Sequence, residues 1–204
     1  MQYSQAVSTT PRVLAGAFAH DTSDDALVSL IAQRDKQALQ ALYSRHQVRV
    51  YRFALRFLND EAAAEDIVSE VFIDVWRQAD RFEGRSQVST WLLAIARNKA
   101  LSALRRRSAE ELDEEIAEFI EDPSDSPEAA MQKKQRASVL QDCLTQLSPA
   151  HREIVDLVYY HEKSVEEAGE IIGIPQSTVK TRMFYARKQL ADLLKGAGVD
   201  SIAA

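Results

Sequence analysis

"KSVEEAGEIIGIPQSTVKTRMFYARKQLADLL", Lys163 to Leu194, carries the strongest local signal in the chain. Ser164 with Glu167 three residues on has the spacing of a capping box, which starts a short helix over about 165–172. Gly173 permits a tight turn, and Pro175 suits the start of a longer helix at about 176–195, which Gly196 stops. Short helix, glycine turn and longer helix is the outline of a helix-turn-helix.

On a wheel of the longer helix, Val179, Met183, Ala186, Leu190, Leu193 and Leu194 share one arc and predict the face packed into the domain. The opposite side carries Ser177, Thr181, Phe184, Tyr185 and Lys188, with Thr178, Lys180 and Arg187 beside them. From Gln176 to Leu190 there are four cations and no carboxylate. A solvated helix mixes signs and seldom exposes Phe beside Tyr. A face built for the major groove explains both, with cations for phosphates and hydroxyls and aromatics for base edges. The plainer alternative is a basic surface helix whose Phe184 packs on a neighbour.

A second basic helix is predicted from Ser89 to Arg107. Leu92, Leu93, Ala96, Ala100 and Leu104 form its buried face, and Trp91, Asn98, Ser102 and Arg105 lie nearly in line opposite. Asn can pair with a base edge and Trp offers a stacking platform. The alternative has Trp91 sealing the helix start. The sign of the charge then reverses: Ser108 to Ala130 holds ten carboxylates and no Lys or Arg, so a chain of net charge −6 is +4 outside this stretch. Two mildly basic pieces joined by an acidic strap favour nucleic acid more than the overall charge does.

The rest of the chain reads as helix. Residues 1–23 are small and polar, a mobile tail. From Asp24, Leu27, Leu30, Ile31, Leu39, Leu42 and Tyr43 recur at helical spacing, and a long helix ends near "FLND". Asp60 caps the next, whose stripe is Ile67, Val68, Val71, Phe72, Val75 and Trp76. Leu112, Ile116, Phe119 and Ile120 allow a short amphipathic helix within the acidic stretch before "EDPSDSP" breaks it. Further helices are predicted at about 129–147 and 150–160. The expected fold is all-α: two small helical domains joined by a flexible acidic linker, the second a helix-turn-helix.

Little supports an enzyme. His20, His46, His151, His161 and Cys143 lack metal-ligand spacing, and no glycine-rich phosphate loop occurs. We expect no cofactor, metal or small-molecule substrate. A single cysteine excludes an internal disulfide and no apolar run is long enough to span a bilayer, so the expected location is the cytoplasm, without membrane insertion.

Four stretches then combine: "AEDIVSEVFIDVW" (64–76), "RFEGRSQVST" (81–90), "WLLAIARNKALSALRRR" (91–107) and "LSPAHREIV…IIGIPQSTVKTRMFYARKQL" (147–190). In order and separation they resemble the two domains of the extracytoplasmic-function group of bacterial sigma factors, over about Asp24 to Leu194. The resemblance implies transcription initiation in a stress or signal response, with core RNA polymerase and promoter DNA as partners and an anti-sigma factor as regulator. It implies a −10 domain over 24–107, a linker over 108–130, a −35 domain over 131–197 and a tail over 198–204. Asp66, Ser69, Glu70 and Phe72 would meet the polymerase. The loop from Phe82 to Ser89, with Arg85 and Ser86, would hold a flipped base. Trp91, Asn98, Ser102, Arg105 and Arg106 would serve the −10 element, and Ser177, Thr178, Lys180, Thr181, Phe184, Tyr185, Arg187 and Lys188 the −35 element. The strap would run along the polymerase's basic cleft, or fold back on the cationic faces of the free protein.

Three departures stand out. His161-Glu-Lys-Ser164 replaces the common "EGLS", Gly169 interrupts the short helix at an expected cost of about 1 kcal/mol relative to Ala, and Tyr185 stands where a basic residue is common. Two other readings remain open: a sigma-like decoy that sequesters a regulator, and a stand-alone helix-turn-helix repressor.

Overall fold

Five of the helix starts have a polar residue that satisfies otherwise orphaned N–H groups. In the computed structural model, which describes residues 22–110 and 139–198, Ser23 caps α1 (Asp24–Ala32) by accepting the Ala26 N–H, and Asp35 caps α2 (Lys36–Leu58) by accepting from Gln37 and Ala38. Asn59, left-handed at φ 53°, closes α2, and the next residue, Asp60, opens α3 (Glu61–Gln78). A single 3₁₀ turn, Ala79–Arg81, leads through the loop to α4 (Val88–Glu110).

The second half begins with a helical stretch at 139–145, here α5. Ser148 then caps α6 (Pro149–Val155), with Pro149 in its first turn, and the helix widens into a π turn over Asp156–Tyr160. Both halves of the Ser164/Glu167 capping box are formed at α7 (Val165–Ile172), and Gly173 turns the chain at φ 76° into α8 (Gln176–Gly196). The helix thus includes Gly196 instead of stopping at it. The amphipathic stretch 112–120, the Pro-rich break and the two tails lie outside the described residues.

The three long helices of the first half surround Leu27, Ile31, Leu42, Phe53, Val71, Val75, Leu92 and Leu93, all excluded from solvent. This core does not end with the first half. It continues into Ile154, Leu157, Ala168, Ile171 and Val179, because α7 packs on α4. A separate small cluster of Leu144, Leu147, Val155 and Ala186 ties α5 and α6 to α8.

Polar contacts line the seam between the halves. Arg56 donates to Asp156 Oδ1 at 2.8 Å and lies over the Tyr160 ring, 3.9 Å from its centroid. His161 meets Phe53 edge-on, and Arg97 pairs with Glu153. Thr90 Oγ1 donates to Glu167 Oε1 at 2.7 Å. Lys163, almost wholly buried, donates to Ser89 Oγ (2.7 Å), Thr90 Oγ1 (3.0 Å) and Glu167 Oε1 (2.9 Å). The glycine missing from "HEKS" therefore has a local consequence: Glu162 takes the left-handed conformation (φ 55°) that glycine accepts most readily.

Glu167 carries the clearest titration signature. Burial alone would raise its pKa, but the Thr90 hydroxyl, the Ser164 N–H and the Lys163 ammonium outweigh it and hold the carboxyl at about 2, against an ordinary 4.5. A depressed carboxylate stabilises the fold above its unfolded pKa, so this contribution is complete above pH 4.5 and fades as pH falls toward 2. Carbon-detected titration of Glu167 should give a midpoint near 2, which Thr90→Val should move upward. A midpoint in the ordinary carboxylate range would contradict the seam geometry.

Candidate nucleic-acid interface

The inner face of α8 follows the wheel: Val179, Met183, Ala186 and Leu194 are buried, and Leu190 and Leu193 pack against them. Outside, Ser177, Lys180, Thr181, Phe184, Tyr185, Arg187 and Lys188 are exposed, with Thr178 half-buried. Phe184 is 64% and Tyr185 54% exposed, and the two rings meet edge to face at 5.4 Å. Phe184 does not pack away on a neighbouring helix. Thr181 spends its hydroxyl proton on the Ser177 carbonyl, so its exposed oxygen is left as an acceptor.

Arg187 is not a free cation. Its Nε donates to Tyr159 Oη at 2.8 Å, and its guanidinium sits beside the Tyr159 ring. Tyr159, from the π turn, was missed in the sequence because the turn breaks the 3.6 period that would have placed it. The fourth cation, Arg182, is half-buried and lines the cleft between the halves.

Gly169 proves to be required where the sequence made it a weakness. A Cβ there would lie 2.9 Å from the Ile174 carbonyl oxygen and 3.7 Å from Val179 Cγ2. The backbone entering α8 returns so close to α7 that only hydrogen fits without a shift.

On α4, Asn98 and Arg105 are exposed and linked through Ser102: the Ser102 hydroxyl donates to the Asn98 carbonyl (2.9 Å), and Arg105 donates to Ser102 Oγ (3.1 Å). Arg106 is exposed beside them, while Arg107 reaches back to Asp60. Trp91 differs from the expected open platform. It is half-buried and stacks on Phe82 at 4.9 Å between centroids, so the loop covers part of its ring. Within that loop Gly84 is left-handed, Ser86 half-buried, and Arg85 extends into solvent paired to Glu83 at 2.5 Å.

Asn98, Ser102, Arg105 and Arg106 share a depression between α3 and α4 with Glu70, Asp74 and Lys99. Lys99, absent from the sequence-based candidates, donates to Asp74 (2.8 Å) and Glu70 (3.2 Å). Burial opposes its charge, yet the two carboxylates prevail and raise its pKa. Glu70 is thereby tied to the −10 candidate helix.

Along α3, Asp66 and Ser69 are exposed. Phe72 is not on that surface: it is 5% exposed and packs edge-on to Tyr43 at 4.9 Å. The exposed apolar residue there is Ile73, 48% accessible. One position on a helix is a rotation of 100°, enough to exchange core and surface.

Among the described residues no group of three or more His, Cys, Asp or Glu is placed to hold a metal ion, and no helix is long and apolar enough to cross a membrane. Two separate cationic helical faces, one on a helix-turn-helix, are the make-up of a DNA-binding protein. Residues 42–110 match the Sigma-70 region 2 family and residues 143–192 the Sigma-70 region 4 family. The chain is 31% identical to the ECF RNA polymerase sigma factor SigL of Mycobacterium tuberculosis, over 85% of this chain and 98% of that one. It is 30% identical to SigW of Bacillus subtilis, over 81% and 96% respectively. The sigma factor RpoE of Bartonella quintana, solved with the anti-sigma factor NepR, superposes with a TM-score of 0.66 at 28% identity, covering 82% of this chain and all of that one. CnrH, solved with the cytosolic domain of CnrY, shares the fold with a TM-score of 0.63 at 24% identity, over 88% of this chain and all of that one. The chain belongs to the ECF RNA polymerase sigma factors.

Proposed function

We propose that this chain is an alternative sigma factor whose three exposed surfaces divide the work of initiation. Core RNA polymerase and promoter DNA are its partners, and the family to which it belongs is one of non-catalytic transcription regulators. The domain over 24–107 takes the −10 element and core polymerase, 108–130 links, and 131–197 takes the −35 element, with tails at 1–23 and 198–204. The observation that carries the reading is the pair of cationic faces on α4 and α8 in one chain.

On α8, Lys180, Arg187 and Lys188 neutralise phosphates, with Arg187 held in place by Tyr159. Ser177, Thr178, Thr181, Phe184 and Tyr185 meet base edges in the major groove, an apolar ring being suited to a thymine methyl. On α4, Asn98 reads an unpaired base, with Ser102, Arg105 and Arg106 around it. The Phe82–Trp91 stack, with Arg85 and Ser86, lines the site for a flipped base, whose unstacking cost contacts with single-stranded DNA offset. Asp66, Ser69, Glu70 and Ile73 face the polymerase, with Phe72 supporting the strip from beneath. Because solved relatives are complexes with anti-sigma factors, we assign this chain a regulator of that kind. The work of a sigma factor places it in the cytoplasm, with the polymerase and the chromosome.

The deciding experiment adds the purified protein to bacterial core polymerase with fragmented genomic DNA and sequences the transcript starts. Discrete new starts sharing two upstream elements are expected; core binding and starts both absent would leave the decoy reading in possession. Lys188→Ala should reduce the slope of log binding constant against log salt by about 0.9. Phe184→Ala should instead weaken discrimination among −35 sequences at the base it contacts, by up to the roughly 1–3 kcal/mol that a mismatched base pair costs. Equal losses on promoter and random DNA would remove Phe184 from base reading.

A further inference from the structure

Neighbouring tyrosines in the π turn serve different surfaces. The turn is marked by the His161 N–H, which donates to the Asp156 carbonyl five residues back at 3.1 Å. Turns this wide recur at functional sites. Tyr160 lies under Arg56, whereas Tyr159 reaches α8 and accepts from Arg187 Nε at 2.8 Å.

The contact with α8 leaves donors unspent. Tyr159 is 55% exposed and Arg187 is exposed as well. Water competes for the hydrogen bonds of such a pair, so it adds little to stability. The phenol oxygen has accepted, but its own proton meets no acceptor among the described residues, and neither do the four Nη N–H groups of Arg187. A hydrogen bond received from a cation polarises the hydroxyl and strengthens its own donation. Arg187 also lines a hollow of about 620 Å³ with Val158, Val165, Lys180, Met183, Phe184 and Lys188, and no carboxylate is among these residues. Free donors beside two lysines, with no acid to compete for them, fit an anion.

Position along the helix selects the anion. Arg187 lies roughly 16 Å along the α8 axis from Gln176, and the major groove is about 12 Å wide. With the start of α8 in the groove, Arg187 has reached the groove wall, where the acceptors are phosphate oxygens. We propose that Tyr159 and Arg187 form a clamp on one phosphate of the −35 duplex, the phenol O–H and an Nη N–H donating to the same phosphodiester. Tyr159 is then a DNA-binding residue supplied from outside the helix-turn-helix. Phenylalanine at 159 would keep the ring beside the guanidinium and lose both the acceptor for Nε and the donor for the phosphate.

The clamp rests on the DNA-facing reading of α8, but its test needs no polymerase, because a phosphate contact carries no sequence information. Binding of the full chain is measured by fluorescence anisotropy on two duplexes of equal length, one of random sequence and one bearing the −35 element taken from the transcript starts. Tyr159→Phe should raise Kd by about tenfold on both duplexes alike, the loss of one hydrogen bond to a charged group. Its salt slope and its thermal unfolding should stay native, since no charge and no buried atom is removed. Arg187→Ala should lower the slope by about 0.9. In the Arg187→Ala background, Tyr159→Phe should cost no more than about twofold, the signature of one shared phosphate. Uncharged methylphosphonates placed one at a time along the −35 duplex should reveal one position at which native protein and Tyr159→Phe bind equally. Native affinity in Tyr159→Phe, an equal loss in both Arg187 backgrounds, or a loss confined to the −35 duplex would overturn the clamp. So would a slope lowered as by Arg187→Ala, which would make Tyr159 a support for Arg187 alone. The expected losses on random duplex without discrete starts from polymerase would uphold the clamp and overturn the sigma reading.

Discussion

Phe53→Ala is expected to lower the free energy of unfolding by about 3–5 kcal/mol, the range for emptying a large aromatic site that cannot collapse. Among the described residues Phe53 is the largest fully buried side chain, 1% exposed. It sits on α2 with Phe57 at 5.8 Å and receives His161 edge-on at 5.6 Å, so the cavity would open beneath both halves at once. Against a typical total of about 5–15 kcal/mol for a natural domain, such a loss leaves a marginal protein. Urea titration followed by circular dichroism and by tryptophan fluorescence should move together, since Trp76 and Trp91 both lie in the first half while circular dichroism samples the whole chain. A variant that shifts only the fluorescence transition would mean that the core is not continuous across the seam.

Gly169→Ala should be destabilising by about 1–3 kcal/mol, the usual cost of forcing an extra carbon into a packed site. Intrinsic propensity alone predicts the opposite sign, a gain of about 1 kcal/mol, because alanine is the better helix former. The sign therefore decides between a local and a tertiary account of this residue. The added carbon would meet the Ile174 carbonyl oxygen at 2.9 Å, and that oxygen belongs to the turn that aims α8. The turn is anchored there, because the Gly169 carbonyl accepts both the Gly173 and Ile174 N–H groups. Relief of the contact must move the turn, and with it Phe184 and Lys188. Beyond the stability change, the variant should lose promoter starts that depend on the −35 element more than it loses polymerase binding. A stabilised variant with native −35 discrimination would refute the tertiary account.

The two predictions mark how the chain divides its information. Capping at Ser23, Asp35, Asp60, Ser148 and Ser164 is written in neighbouring residues, and so is the left-handed turn at Gly173. The α8 wheel placed its buried and exposed residues correctly because a helix repeats its faces every 3.6 residues. The same regularity brought Asn98, Ser102 and Arg105 into line on α4. The family, and with it the function, was legible in the resemblance of four stretches, taken in order, to known sigma factors.

Errors arose where an outcome depended on distant atoms. Phe72 stood both in the apolar stripe of α3 and among the polymerase-facing residues that the resemblance implied, and its contact with Tyr43 from another helix leaves it in the core. Trp91 is an open platform on the wheel and a partly covered one in the fold, because the loop brings Phe82 over it. Lys163 carries no local mark of burial. Its partners on α4 lie 73 and 74 residues earlier, and Thr90 reaches Glu167 across 77. Local sequence determined the helices, most of their ends and the two cationic faces, since periodicity and capping act within a few residues. Tertiary structure alone decided which polar groups are buried and where the two halves join, since neither desolvation nor packing at a seam leaves a period along the chain.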